Sequence, residues 1–211
     1  MLLFDRGIGE IIGLAVALLA GITFHEFSHA LTADALGDRL PRSQGRVTLN
    51  PMAHIDPMGA LFFVLAGFGW GRPVLVNVWA LRPGRIGGTF VAAAGPIANL
   101  VLAAATAVVY RAVALGGLLD GGLVDEVLRS TVFYNVVLAL FNLLPIPPLD
   151  GFNALRGVVP PRQANALDRY APLGMAVLLV LFFIGTTTPG GGPLGLLFGF
   201  ASTVARLLLG P

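Results

Sequence analysis

From Gly87 to Gly116 the chain carries one charged side chain, Arg111. A helix of that length is about 45 Å long at 1.5 Å per residue, more than the roughly 30 Å of a bilayer's hydrocarbon core. The rest of the sequence is of the same kind. Of 211 residues, 56% are hydrophobic and 11% charged, against about 25% charged in an ordinary soluble domain. That balance excludes a soluble globular enzyme, a disordered tail and a nucleic-acid module. The net charge of +2 is too small to imply a polyanionic partner. Cysteine is absent, so there is no disulfide framework, thiol nucleophile or thiolate metal site.

Apolar runs cover Ile8 to Leu36, Gly87 to Gly116, Val127 to Leu144, Ala171 to Thr186 and Leu194 to Leu209, with a shorter one from Ile55 to Trp70. The expected fold class is an all-α polytopic membrane protein with five to six transmembrane helices. A re-entrant or extended segment is expected around residues 46–70, because 55–70 is at or below the shortest spanning length and contains Gly59, Gly67 and Gly69. We expect one domain over 1–211, with a core at 8–155 and a C-terminal helical pair at 171–209. Residues 1–10 lack a positive n-region, so no cleaved signal is expected. Segments 37–54, 71–86 and 150–170 with the C-terminus hold ten of the thirteen arginines. With the re-entrant reading, this bias places the N-terminus outside and the C-terminus in the cytosol.

The sharpest chemical signal is His25-Glu26-Phe27-Ser28-His29. On a helix His25 and His29 project from one face, one turn apart, a spacing that suits two imidazoles on one tetrahedral zinc. Glu26 sits about 100° around the helix and can reach a metal-bound water without ligating, the geometry of a general base. Ionisable residues inside a span cost a few kcal/mol and mark function by default.

A catalytic zinc needs a third protein ligand. Asp34 points about 140° away from the histidine pair, and Asp34 and Asp38 read as solvated helix-end residues. His54 and Asp56 lie in a turn set by Pro51 and Pro57. Asp150 follows Pro145, Pro147 and Pro148, which break a helix at membrane depth. By the topology above, Asp150 and His25 lie at matching depth near the cytosolic side. Asp150 is therefore the expected third ligand.

Together, HEFSH at 25–29, LNPMAHIDPMG at 49–59, AGPIANL at 94–100 and NLLPIPPLDG at 142–151 resemble the site-2 protease family of intramembrane zinc metalloproteases. The resemblance covers about residues 10 to 155 and is close to the minimal bacterial and archaeal members. It implies one Zn2+ per chain held by His25, His29 and Asp150, with Glu26 activating the water. It implies cleavage of a peptide bond within or near the transmembrane segment of another membrane protein. It also assigns Asn142 to binding the substrate strand or the developing oxyanion, a role an amide N–H can fill. Larger relatives carry a PDZ domain or a nucleotide-sensing domain, and neither is expected here. Control of substrate choice would then fall to a separate regulatory membrane partner.

His54 is a second candidate for contacting substrate, gating access or supplying a proton. Asn99 is expected to hydrogen-bond across helices, in the direction of the metal site. Trp70 and Trp79 read as interface anchors. Residues 46–50 could form a strand that receives an unwound substrate. The rival readings are a transporter or channel using the same polar residues, and a catalytically silent relative that binds membrane proteins. A di-iron oxidoreductase is disfavoured by the presence of only three histidines.

Overall fold

A computed structural model describes residues 7–66, 70–82, 84–119 and 121–210. Gly67 and Gly69 of the expected re-entrant turn, and Arg6 of the expected outer arginines, lie outside the described residues. The helices are α1 (Ile8–Ala35), α2 (Leu40–Ser43), α3 (Pro57–Ala66), α4 (Arg85–Leu115), α5 (Leu123–Asn142), α6 (Asp150–Val158), α7 (Pro161–Tyr170), α8 (Gly174–Thr187) and α9 (Gly192–Leu209). No strand forms among the described residues. The architecture is that of an all-α polytopic membrane protein.

Among the described residues, four stretches are long and apolar enough to cross a membrane: Gly9–Ala35, Arg85–Leu115, Pro161–Thr187 and Pro189–Leu209. This is one fewer than the lower expected count. The missing one is α5, which carries Asp125, Glu126 and Arg129 in its first two turns. It is nevertheless central, packing against α1, α4 and α9. Its buried face includes Thr131, Val132, Asn135, Val136 and Ala139.

Small residues set the packing distance. On α4, Gly95, Asn99, Ala103 and Ala107 repeat every fourth residue and are all buried. Ala103 and Ala107 join Val132 and Val136 of α5 and Ala201 and Ala205 of α9 in one core cluster. In lipid such contacts hold helices together by close backbone approach and van der Waals packing. Outward positions are apolar as well; Val101, Val108, Leu179, Phe183 and Leu207 are all exposed. That inverted surface suits a lipid solvent.

The stretch expected to enter and leave on one side is closed at its neck. Ile55 and Gly71 form an isolated antiparallel bridge, and Arg72 N–H donates to the His54 carbonyl at 2.7 Å. Within it α3 has ten residues, about 15 Å of helix, too short to span. The expected strand at residues 46–50 does not form. Asn50 instead caps a turn of 3₁₀ helix at Pro51–Ala53. Residues 72–77 form neither helix nor strand, and their Val74 and Asn77 N–H groups donate to Glu26 and Asp38.

The aspartates near the end of α1 are not solvated as expected. Asp34 is buried between Arg39 and Arg42, at 3.0 and 2.7 Å. Asp38 is buried and accepts the backbone N–H groups of Leu40 and Asn77, at 3.0 and 2.7 Å. Asp34 is closed off by its two arginines and Asp38 by Asn77 of the returning segment, and a lost hydration shell has to be replaced by protein donors.

Candidate metal centre

Helix α1 places His25 and His29 on one face, as the spacing requires. Their Nε2 atoms are 3.0 Å apart. Asp150 Oδ2 lies 3.0 Å from His25 Nε2 and 3.2 Å from His29 Nε2. Four-coordinate zinc with ligand bonds of about 2.0–2.1 Å puts neighbouring donors roughly 3.3 Å apart. The triangle therefore has nearly the edge lengths of one face of a zinc site.

The protons agree. His29 Nδ1 faces the Val91 carbonyl at 2.6 Å, and His25 Nδ1 faces Asn99 Oδ1 at 2.7 Å. Both partners are acceptors, so both Nδ1 atoms are donors, and as neutral imidazoles, the form that binds a metal, both histidines turn Nε2 lone pairs inward. Asp150 Oδ2 is buried and has no hydrogen-bond partner. Three converging acceptors with no proton between them repel unless a cation sits among them. The donor set of two imidazoles and one carboxylate suits zinc.

Asp150 is the first residue of α6, where the helix N-terminus favours a carboxylate. The preceding turn folds tightly onto it: a Cβ on Gly151 would lie 2.2 Å from the Leu143 carbonyl oxygen. At the other end of α6, Arg85 of α4 donates to the Arg156 and Val159 carbonyls, and Thr89 donates to Ala154. The ligand-bearing helix is thus anchored to α4 at its far end. Gly95 of α4 lies against the histidine pair. A Cβ there would be 2.4 Å from His29 Nε2.

Glu26 points to a different set of partners. Its Oε2 accepts from Val74 N–H at 3.1 Å and stands 3.7 Å from Arg46 Nη2. Arg46 is buried, and its two terminal nitrogens donate to the Ala53 and Arg72 carbonyls. It therefore ties both loop arms above Glu26. Burial pushes the Arg46 guanidinium below its ordinary pKa; Glu26 opposes this, and the Arg72 charge adds to it. The sequence places Arg46 among the loop arginines and at the start of the strand expected at 46–50, and neither reading pairs it with Glu26.

The other candidates stand apart from the triangle. His54 is fully buried, and its Nε2–H donates to the Thr48 carbonyl at 2.8 Å. Asn142 donates one amide hydrogen to Leu138, one turn back in α5, at 3.0 Å. Asn99 does bond toward the site, as expected. Asn135, which behind Asn99 accepts one of its amide hydrogens, was not singled out. A polar residue inside an apolar run, four positions after Thr131, was the available signal.

No protein-family model and no solved structure matches the chain. Among curated proteins it is similar to "Putative zinc metalloprotease YwhC" of Bacillus subtilis (strain 168), with 38% identity over 175 residues, covering 80% of this chain and 79% of that protein. It is also similar to "Putative zinc metalloprotease Rip2" of Mycobacterium tuberculosis (strain ATCC 25618 / H37Rv), at 34% identity with 82% and 69% covered. The protein of that name in Mycolicibacterium smegmatis is 31% identical, with 81% and 68% covered. At that identity and coverage, and with this cluster of histidines and aspartate between its helices, the chain belongs to the site-2 protease family and is a membrane zinc metalloprotease.

Proposed function

We propose that the protein is an intramembrane zinc metalloendopeptidase that hydrolyses a peptide bond within or near the transmembrane segment of a membrane-protein substrate. The observation that carries this is the meeting of three lone-pair donors, His25, His29 and Asp150, at 3.0–3.2 Å, on or beside helices apolar enough to lie in lipid. These residues would hold the zinc. Bound zinc supplies an acidified water and polarises the scissile carbonyl.

Glu26 takes the proton from the attacking water and returns it to the leaving amine. Arg46 and the Val74 N–H keep its carboxylate aimed. Asn142 has a second amide hydrogen for the developing oxyanion, and His54 lies in the loop that a substrate would approach. A buried site needs a water path, and the loops 46–55 and 70–77 over Glu26 are where a polar route reaches it.

The arginine distribution supports an outside N-terminus, a cytosolic C-terminus and a site toward the cytosolic face. The absence of native cysteine makes this testable. On intact cells a membrane-impermeant maleimide should label Leu118→Cys and spare Gln44→Cys; the reverse pattern would invert the orientation.

The central test counts metal and fragments together. Purified wild type should hold about one zinc per chain, and Asp150→Ala should lose it. Paired fragments of single-span membrane proteins should appear in cells carrying wild type and vanish with Glu26→Gln, which keeps its zinc. Fragment pairs that persist with Glu26→Gln would refute the protease mechanism.

A further inference from the structure

Two asparagines from separate apolar runs meet in the bundle core. Asn99 of α4 and Asn135 of α5 are both 0% exposed. Buried amides are costly in an apolar bundle unless their polar atoms are used, and here they are used in one direction. Asn135 Nδ2 donates to the Thr131 carbonyl at 2.9 Å and approaches the Ala17 carbonyl at 3.5 Å. Carbonyls only accept, so the Asn135 amide is fixed with Oδ1 on the opposite side. That Oδ1 accepts from Asn99 Nδ2 at 2.9 Å, and Asn99 also donates to the Gly21 carbonyl at 3.0 Å. Both amide hydrogens of Asn99 are then committed. Only its Oδ1 remains for His25 Nδ1, 2.7 Å away.

The two histidines are oriented by different means. His29 Nδ1 faces a backbone carbonyl, which cannot turn over. His25 Nδ1 faces a side-chain amide, which can. A reversed Asn99 would offer N–H to His25 Nδ1 and move the imidazole proton to Nε2. There it would point at Asp150 Oδ2, 3.0 Å away. That arrangement satisfies histidine and aspartate with each other and blocks the metal.

We infer that Asn135 and Asn99 form a directional amide relay that selects the metal-binding tautomer of His25. Both are positioning residues, and Asn135 acts through Asn99. The inference rests on the reading that His25 is a zinc ligand.

The test measures zinc dissociation constants by chelator competition on purified full-length protein. Outer-sphere partners of ligating histidines typically change metal affinity 10–100-fold. Asn99→Leu is expected to weaken zinc by about that range, and Asn135→Leu by roughly tenfold. Asn135→Asp should stay close to wild type. Its carboxyl, protonated in the core, accepts from Asn99 and donates to Thr131 as the amide does. A purely structural role would make Asn135→Asp as damaging as Asn135→Leu, and that result overturns the relay. Affinity within about twofold of wild type for both leucine variants also overturns it, since the 10–100-fold effect would be missing. His25→Ala separates this failure from that of the site. Zinc lost in His25→Ala but unchanged in Asn99→Leu refutes only the relay. Zinc retained in His25→Ala refutes the site reading and the relay with it.

Discussion

The Arg46 guanidinium stands 3.7 Å from the Glu26 carboxylate, with 5% of the arginine side chain exposed. Its remaining N–H groups face loop backbone or, at Nε, have no partner. A buried cation beside a general base holds that base in place. Arg46→Met should therefore lower the cleavage rate by about a hundredfold, the loss that a misplacement near 1 Å produces. Zinc content should stay at the wild-type level. Arg46→Lys keeps the charge but cannot reach both carbonyls, so it should fall between the two. Parallel loss of zinc and activity in Arg46→Met would show that the residue supports the fold and not the base.

Gly95 offers a test of the opposite kind, in which a single carbon is added. Its Cβ would meet His29 Nε2 at 2.4 Å and His25 Cε1 at 2.6 Å. Both are core atoms on a packed helix face, so one imidazole must leave its position. Gly95→Ala should reduce zinc affinity at least as much as loss of an outer-sphere partner, about tenfold or more. Gly199→Ala, with open space around it, is the control and should bind zinc like wild type. Equal zinc affinity in the two variants would contradict the close approach of α4 to the histidines.

The histidine pair and Asp150 were legible because each follows from local physics. A four-residue spacing on a helix aligns His25 with His29, and a proline-broken helix announces Asp150. Only the depth argument was long-range, and it rested on reading sequence position as height in a membrane. Loop contacts have no such ruler. Asp38 reads as solvated because nothing in its neighbourhood tells that Asn77 returns to it, and Asp34 because the turn that brings Arg39 and Arg42 back onto it is not legible from spacing. No spacing pairs Arg46 with Glu26 either. The strand expected at 46–50 failed because Asn50 and Pro51 start a 3₁₀ turn. Asn135 was hidden in α5, whose acidic first turn also removed it from the helices that cross on composition alone.

Metal removal should register in stability as well as activity. A ligand at a thousandfold excess over its Kd stabilises the folded state by about 4 kcal/mol. For a chain of this length that corresponds to roughly 8–16 °C in unfolding temperature. Reloading stripped protein with zinc should produce such a rise in wild type and in Glu26→Gln, but not in Asp150→Ala. A rise of the same size in Asp150→Ala would mean that the stabilising metal binds elsewhere.

The three histidines make their protonation pattern directly readable, because the chain contains no others. In the structure His25 and His29 carry hydrogen on Nδ1, against Asn99 Oδ1 and the Val91 carbonyl, whereas His54 carries it on Nε2, against the Thr48 carbonyl. Zinc-loaded protein labelled with ¹⁵N only at histidine should therefore show two Nδ1–H imidazoles and one Nε2–H imidazole. All three hydrogens are buried against acceptors and should exchange slowly with water. His54→Phe should remove the Nε2–H signal and leave the other two in place. Asp150→Ala should spare the His54 signal and leave the Nδ1 hydrogens of His25 and His29 in place, since Asn99 Oδ1 and the Val91 carbonyl remain as their acceptors. An Nε2–H signal that disappears with His25 or His29 in place of His54 would mean that a ligand nitrogen is protonated, and would refute a zinc site built on those two atoms.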